Sequence, residues 1–349
     1  MQKKYLFVFL FSFFLYACQT SHQQQALKLL QLGNAEFKKE QNEYALQYYN
    51  QAIEKDKNLA EAWNNRGTIH FNFDEFETAI KNYKEAIRLK PDYTEAIFNL
   101  SNVFFAQKNY TAAVSLLDKI AEKNKDSSKI FFSRAKNYLK LGNYKTALKD
   151  LNKVIELKPN FTAAYDSRGY LYLLIGNFQQ AKKDLDKIIM GNTNADLAFS
   201  NMALYVYFKD NNYKKAKEMC QSAKNINANE AYIYNTEAYI DLTNGNLEEA
   251  KKNIDYVIKN HKNNAYSYKN LGVYHFKNKN FEEAYTYFWK AFRLDEQMVG
   301  FYPYFLAIYN QKKLTEEEKK TISIIENAHK QYADNYFDNN LNLSLNFKQ

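Results

Sequence analysis

Five histidines and two cysteines are the residues of this 349-residue sequence best suited to metal binding or nucleophilic catalysis. His22, His70, His261, His275 and His329 are scattered, and none stands at the helical spacing that converges imidazoles on one ion. Cys18 and Cys220 form no paired-cysteine motif. Neither His-Glu-x-x-His, nor Gly-x-Ser-x-Gly, nor a Walker-type loop occurs. Carboxylates are plentiful, but they fall on outward helical faces, where solvation is the default. The sequence therefore gives no catalytic residue, no metal and no small-molecule cofactor, and it reads as a non-enzyme. The polar group that does recur is the carboxamide. Asn65, Asn99, Asn201 and Asn270, with Ser133, Ser167 and Thr236, stand close to multiples of one spacing. An amide is both donor and acceptor, so a ladder of them can pair with a peptide backbone without reading its side chains. The bland alternative is that asparagine is simply common in this chain.

The elements that must carry this ladder are helices. Gly (9) and Pro (3) are too scarce to punctuate a sheet-rich fold, while aromatics reach 17%. Mean hydropathy of −0.63 excludes a multi-span membrane protein. Ala45, Ala79, Ala113, Ala147, Ala181, Ala216, Ala250 and Ala284 fall on a 34-residue ruler with a single 35-residue step, whose extra residue is assigned to the turn Asp210-Asn211-Asn212. Tyr83, Leu117, Leu151 and Leu185 recur as bulky fillers, and Gly33, Gly67, Gly169 and Gly272 recur where two helices must cross closely. Gly142, Gly176 and Gly245 fall at the turn between helices, where a left-handed residue ends the first one. His70 and His275 occupy the position of Tyr138 and Tyr172, as first-helix core aromatics. Cys220 falls on an apolar face and reads as a buried structural thiol.

From Ala60 to Tyr93, the residues Trp63, Gly67, Phe76, Ala79, Tyr83, Ala86 and Pro91 resemble the tetratricopeptide repeat closely, and the likeness extends over residues 26–296. It implies an all-α, right-handed α-α superhelical solenoid of eight helical hairpins, closed by C-terminal capping helices at 297–332. It further implies a groove lined by first helices that holds a peptide or a partner's helix. Asn65, Asn99, Asn201 and Asn270 are its candidate contacts. Phe98, Asn102 and Phe105 in the third repeat join them, with Lys129, Phe132, Lys136 and Lys140 on one helical face of the fourth. Exposed aromatics beside lysines would suit a segment with hydrophobic anchors and acidic groups. Alternatively, these phenylalanines pack against the next hairpin.

The amino terminus reads as an address. Residues 1–17 carry Lys3 and Lys4, an apolar run too short to span a bilayer, and then Ala17 before Cys18. Leu15-Tyr16-Ala17-Cys18 resembles a bacterial lipobox, which implies lipidation at Cys18 and a tether over 18–25. Gln19 in place of an aspartate suggests the outer membrane, on its periplasmic face. An ordinary signal peptide with an incidental cysteine, or an uncleaved anchor, is the competing reading. The net charge of +9 is spread along the chain without a basic block, so no nucleic-acid partner is expected. The tail 333–349 alternates Leu341, Leu343, Leu345 and Phe347 but is expected to be flexible. The leading expectation is a lipid-anchored scaffold for protein or peptide partners in the cell envelope. A glycan-binding lipoprotein and a docking accessory of an envelope enzyme are the alternatives.

Overall fold

The computed structural model describes residues 22–191 and 194–295, with scattered positions between 304 and 327. The signal segment, Cys18 and the tail 333–349 lie outside the described residues, as does most of 297–332. The chain divides into two compact units at Lys125/Asp126, a boundary between the third and fourth repeats.

The first unit holds α1 (residues 22–38), α2 (Asn42–Lys55), α3 (Ala60–Asn72), α4 (Phe76–Leu89), α5 (Thr94–Ala106) and α6 (Tyr110–Ala121). Helix α1 is already formed at residue 22, inside the span expected to be a tether. The second unit holds α7 (Ser128–Lys140), α8 (Tyr144–Leu157), α9 (Thr162–Leu174), α10 (Phe178–Gly191) and α11 (Asp196–Phe208). It continues through α12 (Tyr213–Ile226), α13 (Ala231–Asn244), α14 (Leu247–Asn260), α15 (Ala265–Lys277) and α16 (Phe281–Leu294). The described residues are all-α, paired as consecutive hairpins. Within each unit, every hairpin packs on the next and first helices touch first helices. Stability thus comes from nearest-neighbour stacking.

The alanine ruler is the hairpin crossing: all eight of its alanines are 0% exposed. Four residues later stands the wedge filler, and Tyr49, Tyr83, Leu117, Leu151, Leu185, Cys220, Ile254 and Phe288 are all buried. Cys220 is therefore core, and burial pushes its thiol up to about 12. The facing first-helix residue is matched in size. A Cβ on Gly272 would stand 2.5 Å from the Phe288 ring, and one on Gly67 2.8 Å from Tyr83. Opposite Leu185, by contrast, a Cβ on Gly169 would find 3.1 Å. Glycine is required where the wedge is aromatic.

Each first helix ends in a left-handed residue. Gly142, Gly176 and Gly245 take it, as expected, but so do Glu40, Asp74, Lys108, Asn211 and Lys279. The motif closes by hydrogen bonds such as Glu75 N to His70 O at 2.9 Å. The turn at 209–212 is one residue longer than the three-residue turn of most other hairpins, which places the extra residue of the 35-residue step there. Asn109, Asn143 and Asn212 cap the second helices through side-chain acceptors, which is one reason asparagine is frequent. Beyond α16, Tyr304, Ile308 and Ile322 bury against the last hairpin, with Tyr304 stacked 5.6 Å from Phe288. Among the described residues no helix is long and apolar enough to cross a membrane.

Candidate functional site

The first helices of each unit share one face, and the two units use it differently. In the first unit it is a network of amides. Asn65 Nδ2 donates to Asn34 Oδ1 at 2.7 Å, and Tyr49 Oη donates to the same oxygen at 2.9 Å. Asn64 donates to Asn65 at 3.0 Å, and Asn99 to Asn64 at 3.1 Å. The amides of α1, α3 and α5 thus bond one another across repeats 31 and 35 residues apart. Phe98 is buried in the stack, Asn102 is half-buried, and Phe105 meets Tyr110 edge-on at 5.4 Å.

In the second unit the ladder positions also link neighbours. Asn201, buried, donates to Asp166 at 3.0 Å and accepts from Tyr232 Oη at 2.6 Å. Asn270, also buried, donates to the Asn235 carbonyl at 3.0 Å. Phe132 packs on Phe161 of the next hairpin, with ring centroids 4.9 Å apart, which is the bland alternative for that residue. Lys129 and Lys136 are exposed and Lys140 is half-buried.

The face of Lys129, Phe132, Lys136 and Lys140 continues through residues that sequence reasoning passed over. One repeat further on, the rows of 132 and 136 hold Asp166 and Tyr170. Tyr232, Asn235 and Tyr239 occupy the three rows in α13, and Tyr266 and Lys269 occupy the first two in α15. The signal is present in the sequence, since each row repeats every 34 or 35 residues. The tyrosines are half-buried or exposed, with Tyr266 37% open to water.

The geometry there is a cluster of phenols and ammonium groups. The Tyr170 and Tyr232 rings meet edge-to-face at 6.4 Å. Lys140 Nζ lies 5.9 Å from the Tyr266 ring centroid, although the two residues belong to the fourth and eighth repeats. Lys269 Nζ lies 5.5 Å from that centroid and 5.2 Å from that of Tyr239. These side chains are open to water yet hemmed in by protein on most sides, so burial dominates their acid-base behaviour. It holds Tyr170, Tyr232 and Tyr239 well above the usual phenol range and Tyr266 up at about 12. It lowers Lys269 to about 8 and, with the Lys140 charge adding to it, lowers Lys136. Asp166 rises to about 6 because burial outweighs the Asn201 hydrogen bond, and Asp196 adds to the rise.

Ion pairs also link the helices of the second unit. Arg134 grips Asp150 with two bonds of 2.8 Å, and Arg168 grips Asp184 at 2.7 and 2.8 Å. In the seventh repeat Glu237 stands where those arginines stand. Lys217 and Lys224 of the preceding hairpin both bond it, and Lys217 also reaches the fully buried Asp241 at 2.8 Å. Burial keeps Asp241 above its ordinary range despite Lys217 and Tyr213. At Glu237 burial acts in the same sense, but two lysines outweigh it and hold the carboxyl low.

Among the described residues no three potential metal ligands converge. His70 bonds Glu75 at 2.6 Å, while His275 stacks on Tyr287 at 5.2 Å. The first-helix face of the second unit can offer flat rings for stacking, neutral phenols for hydrogen bonding and positive charge for anionic groups. It does not assemble a nucleophile with a base.

Sequence profiles described as tetratricopeptide repeat match residues 60–93, 95–127, 128–161 and 235–297, and one described as TPR repeat matches 33–72. No curated protein matches the sequence. Among solved structures, a tetratricopeptide repeat protein from Parabacteroides merdae superposes with a TM-score of 0.56 at 19% identity, covering 76% of this chain and 98% of its own. The pilF protein of Pseudomonas aeruginosa gives 0.54 at 16% identity, over 63% of this chain and 99% of its own. YrrB, described as a TPR protein with an unusual peptide-binding site, gives 0.45 at 24% identity, covering 53% and 95%.

Proposed function

Because the chain belongs to the tetratricopeptide repeat family, we propose that it is a protein-interaction scaffold that holds an extended segment of a partner polypeptide against the first-helix face of residues 126–327. The observation that carries this reading is the row of half-open tyrosines and lysines at Lys140, Tyr170, Tyr239, Tyr266 and Lys269. Large rigid rings supply contact area at low entropic cost, and the bland alternative of hairpin packing does not account for rings left open to water. The lipobox-like Leu15-Tyr16-Ala17-Cys18 supports anchorage in a bacterial envelope through a lipid on Cys18, with the repeats facing the periplasm from the outer membrane. Work in envelope assembly, secretion, pilus biogenesis or wall remodelling fits such a tethered scaffold.

A photo-crosslinking residue at Tyr170, and separately at the exposed Lys149 on the second-helix side, tests the surface in living cells. The same partner should be captured from position 170 and be absent from position 149. Equal capture from both would remove the proposal. Cys18→Ala should move the chain from the membrane to the soluble fraction, and a variant that stays with membranes contradicts the lipid anchor.

A further inference from the structure

Two ammonium groups share the Tyr266 ring. Lys140 approaches its centroid at 5.9 Å and Lys269 at 5.5 Å, and Lys269 also lies over Tyr239. Neither lysine bonds a carboxylate among the described residues. Lys90, Lys224 and Lys251 also lie over tyrosine rings, but each holds a carboxylate as well: Glu61, Glu237 and Asp255 respectively. Lys187 and Lys290 lie over Tyr165 and Tyr268 at 4.0 Å without a carboxylate among the described residues, but both are exposed to water, whereas Lys140 and Lys269 are half-buried. The guanidinium groups Arg134 and Arg168, by contrast, are each gripped by a carboxylate between helices, Asp150 and Asp184. Of the carboxylates near the cluster, Asp166 is engaged by Asn201, and Asp295 lies close enough to raise the Tyr266 phenol without pairing with either lysine.

A cation set among rings without a counter-ion is poorly compensated, since ring faces recover only part of what water gave it. The loss of charge affinity is visible at Lys269, where burial brings the amine down to about 8. An arriving carboxylate restores that compensation and is itself shielded from water by the same rings, so it binds more strongly than at an open lysine. Further tyrosine rings, Tyr170, Tyr232 and Tyr239, stand in the same rows of this face. A chain lying on this face passes through the site, which favours a side-chain carboxylate within a segment over a chain terminus.

We propose that Lys140 and Lys269, held against Tyr266, form a binding site for an acidic side chain of the partner segment, so that the scaffold selects sequences in which glutamate or aspartate is interspersed with aromatic residues. This rests on the first-helix face being the binding surface.

The test uses the full-length chain and three synthetic probes. These are acetyl-(Tyr-Glu)4-amide, acetyl-(Tyr-Gln)4-amide, and the glutamine peptide with a free C-terminal carboxylate. The glutamate peptide should bind roughly tenfold more tightly than the capped glutamine peptide, and Lys140→Gln with Lys269→Gln should abolish that preference. Equal binding of the two capped peptides, or a preference that survives the double substitution, overturns the carboxylate site while leaving the binding surface standing. If none of the peptides binds, both readings fall. A free C-terminus that restores full affinity to the glutamine peptide overturns the side-chain assignment. Acetylation of Lys269 by acetic anhydride at pH 8 gives a readout independent of variant folding. The glutamate peptide should protect Lys269 and leave the exposed Lys145 unaffected; absence of protection by a bound peptide overturns the proposal.

Discussion

Residues 22–125 and 126–327 build the same hairpin from the same ruler of alanines, yet they finish its first-helix face in opposite ways. In the first unit neutral amides bond one another from α1 to α5, so donors and acceptors answer each other within the face. In the second unit ion pairs and Asp166 join neutral links such as Asn270 to the Asn235 carbonyl, and Lys140 and Lys269 are left over tyrosine rings. An identical scaffold can therefore carry a face of mutually bonded amides and a face that holds lysines over half-open tyrosine rings. The difference lies in which side chains stand in a few repeated rows, not in the helices.

The contrast predicts unequal costs of breaking the links. The largest belongs to the ionic network: Asp241→Ala removes the buried acceptor of Lys217 and Tyr213, leaving Lys217 with Glu237 alone, and should cost about 2–3 kcal/mol. Chemical denaturation followed by circular dichroism measures it, and a loss below about 1 kcal/mol would erase the distinction between the units.

Next comes Asp166, whose folded carboxyl titrates near 6 against an ordinary 3.8. A folded value above the unfolded one means that the native state binds the proton more tightly. Stability from this group is thus complete below pH 3.8 and is lost as pH rises toward 6. Asp166→Asn keeps the acceptor for Asn201 and should raise stability by about 2 kcal/mol at neutral pH, with the gain disappearing in acid. A gain independent of pH would show that the carboxylate charge is not the cause.

The smallest effect is expected in the first unit. Asn65→Ala removes one link of a neutral chain and should cost about 1 kcal/mol, with no effect on peptide binding. Loss of binding with Asn65→Ala would move the site to the amide face and reverse the comparison.

The scaffold was legible in the sequence because steric necessity allows few residues at the crossing. Alanine at eight positions, and glycine opposite Tyr49, Tyr83 and Phe288, leave their mark in any reading of spacing. The left-handed turn was only partly legible: glycine marks it in three repeats, while Glu40, Asp74, Lys108, Asn211 and Lys279 adopt it under the surrounding hydrogen bonds. The site was harder. Asn65 and Asn99 look alike in sequence, but whether an amide faces a ligand or another amide depends on a residue 31 to 35 positions away. The tyrosines posed a related difficulty. A first helix is touched by its own partner and by both neighbouring first helices, so its apolar stripe is broad and does not reveal which edge stays wet. Spacing alone therefore does not separate Tyr232, Tyr239 and Tyr266 from core aromatics.

The most direct trial of the account places 3-fluorotyrosine at Tyr266 and, separately, at Tyr44, which is 56% exposed in the first unit, and follows each fluorine resonance as acetyl-(Tyr-Glu)4-amide is added. The account predicts a saturable shift at 266 and none at 44. A peptide that binds while the resonance at 266 stays fixed would contradict it.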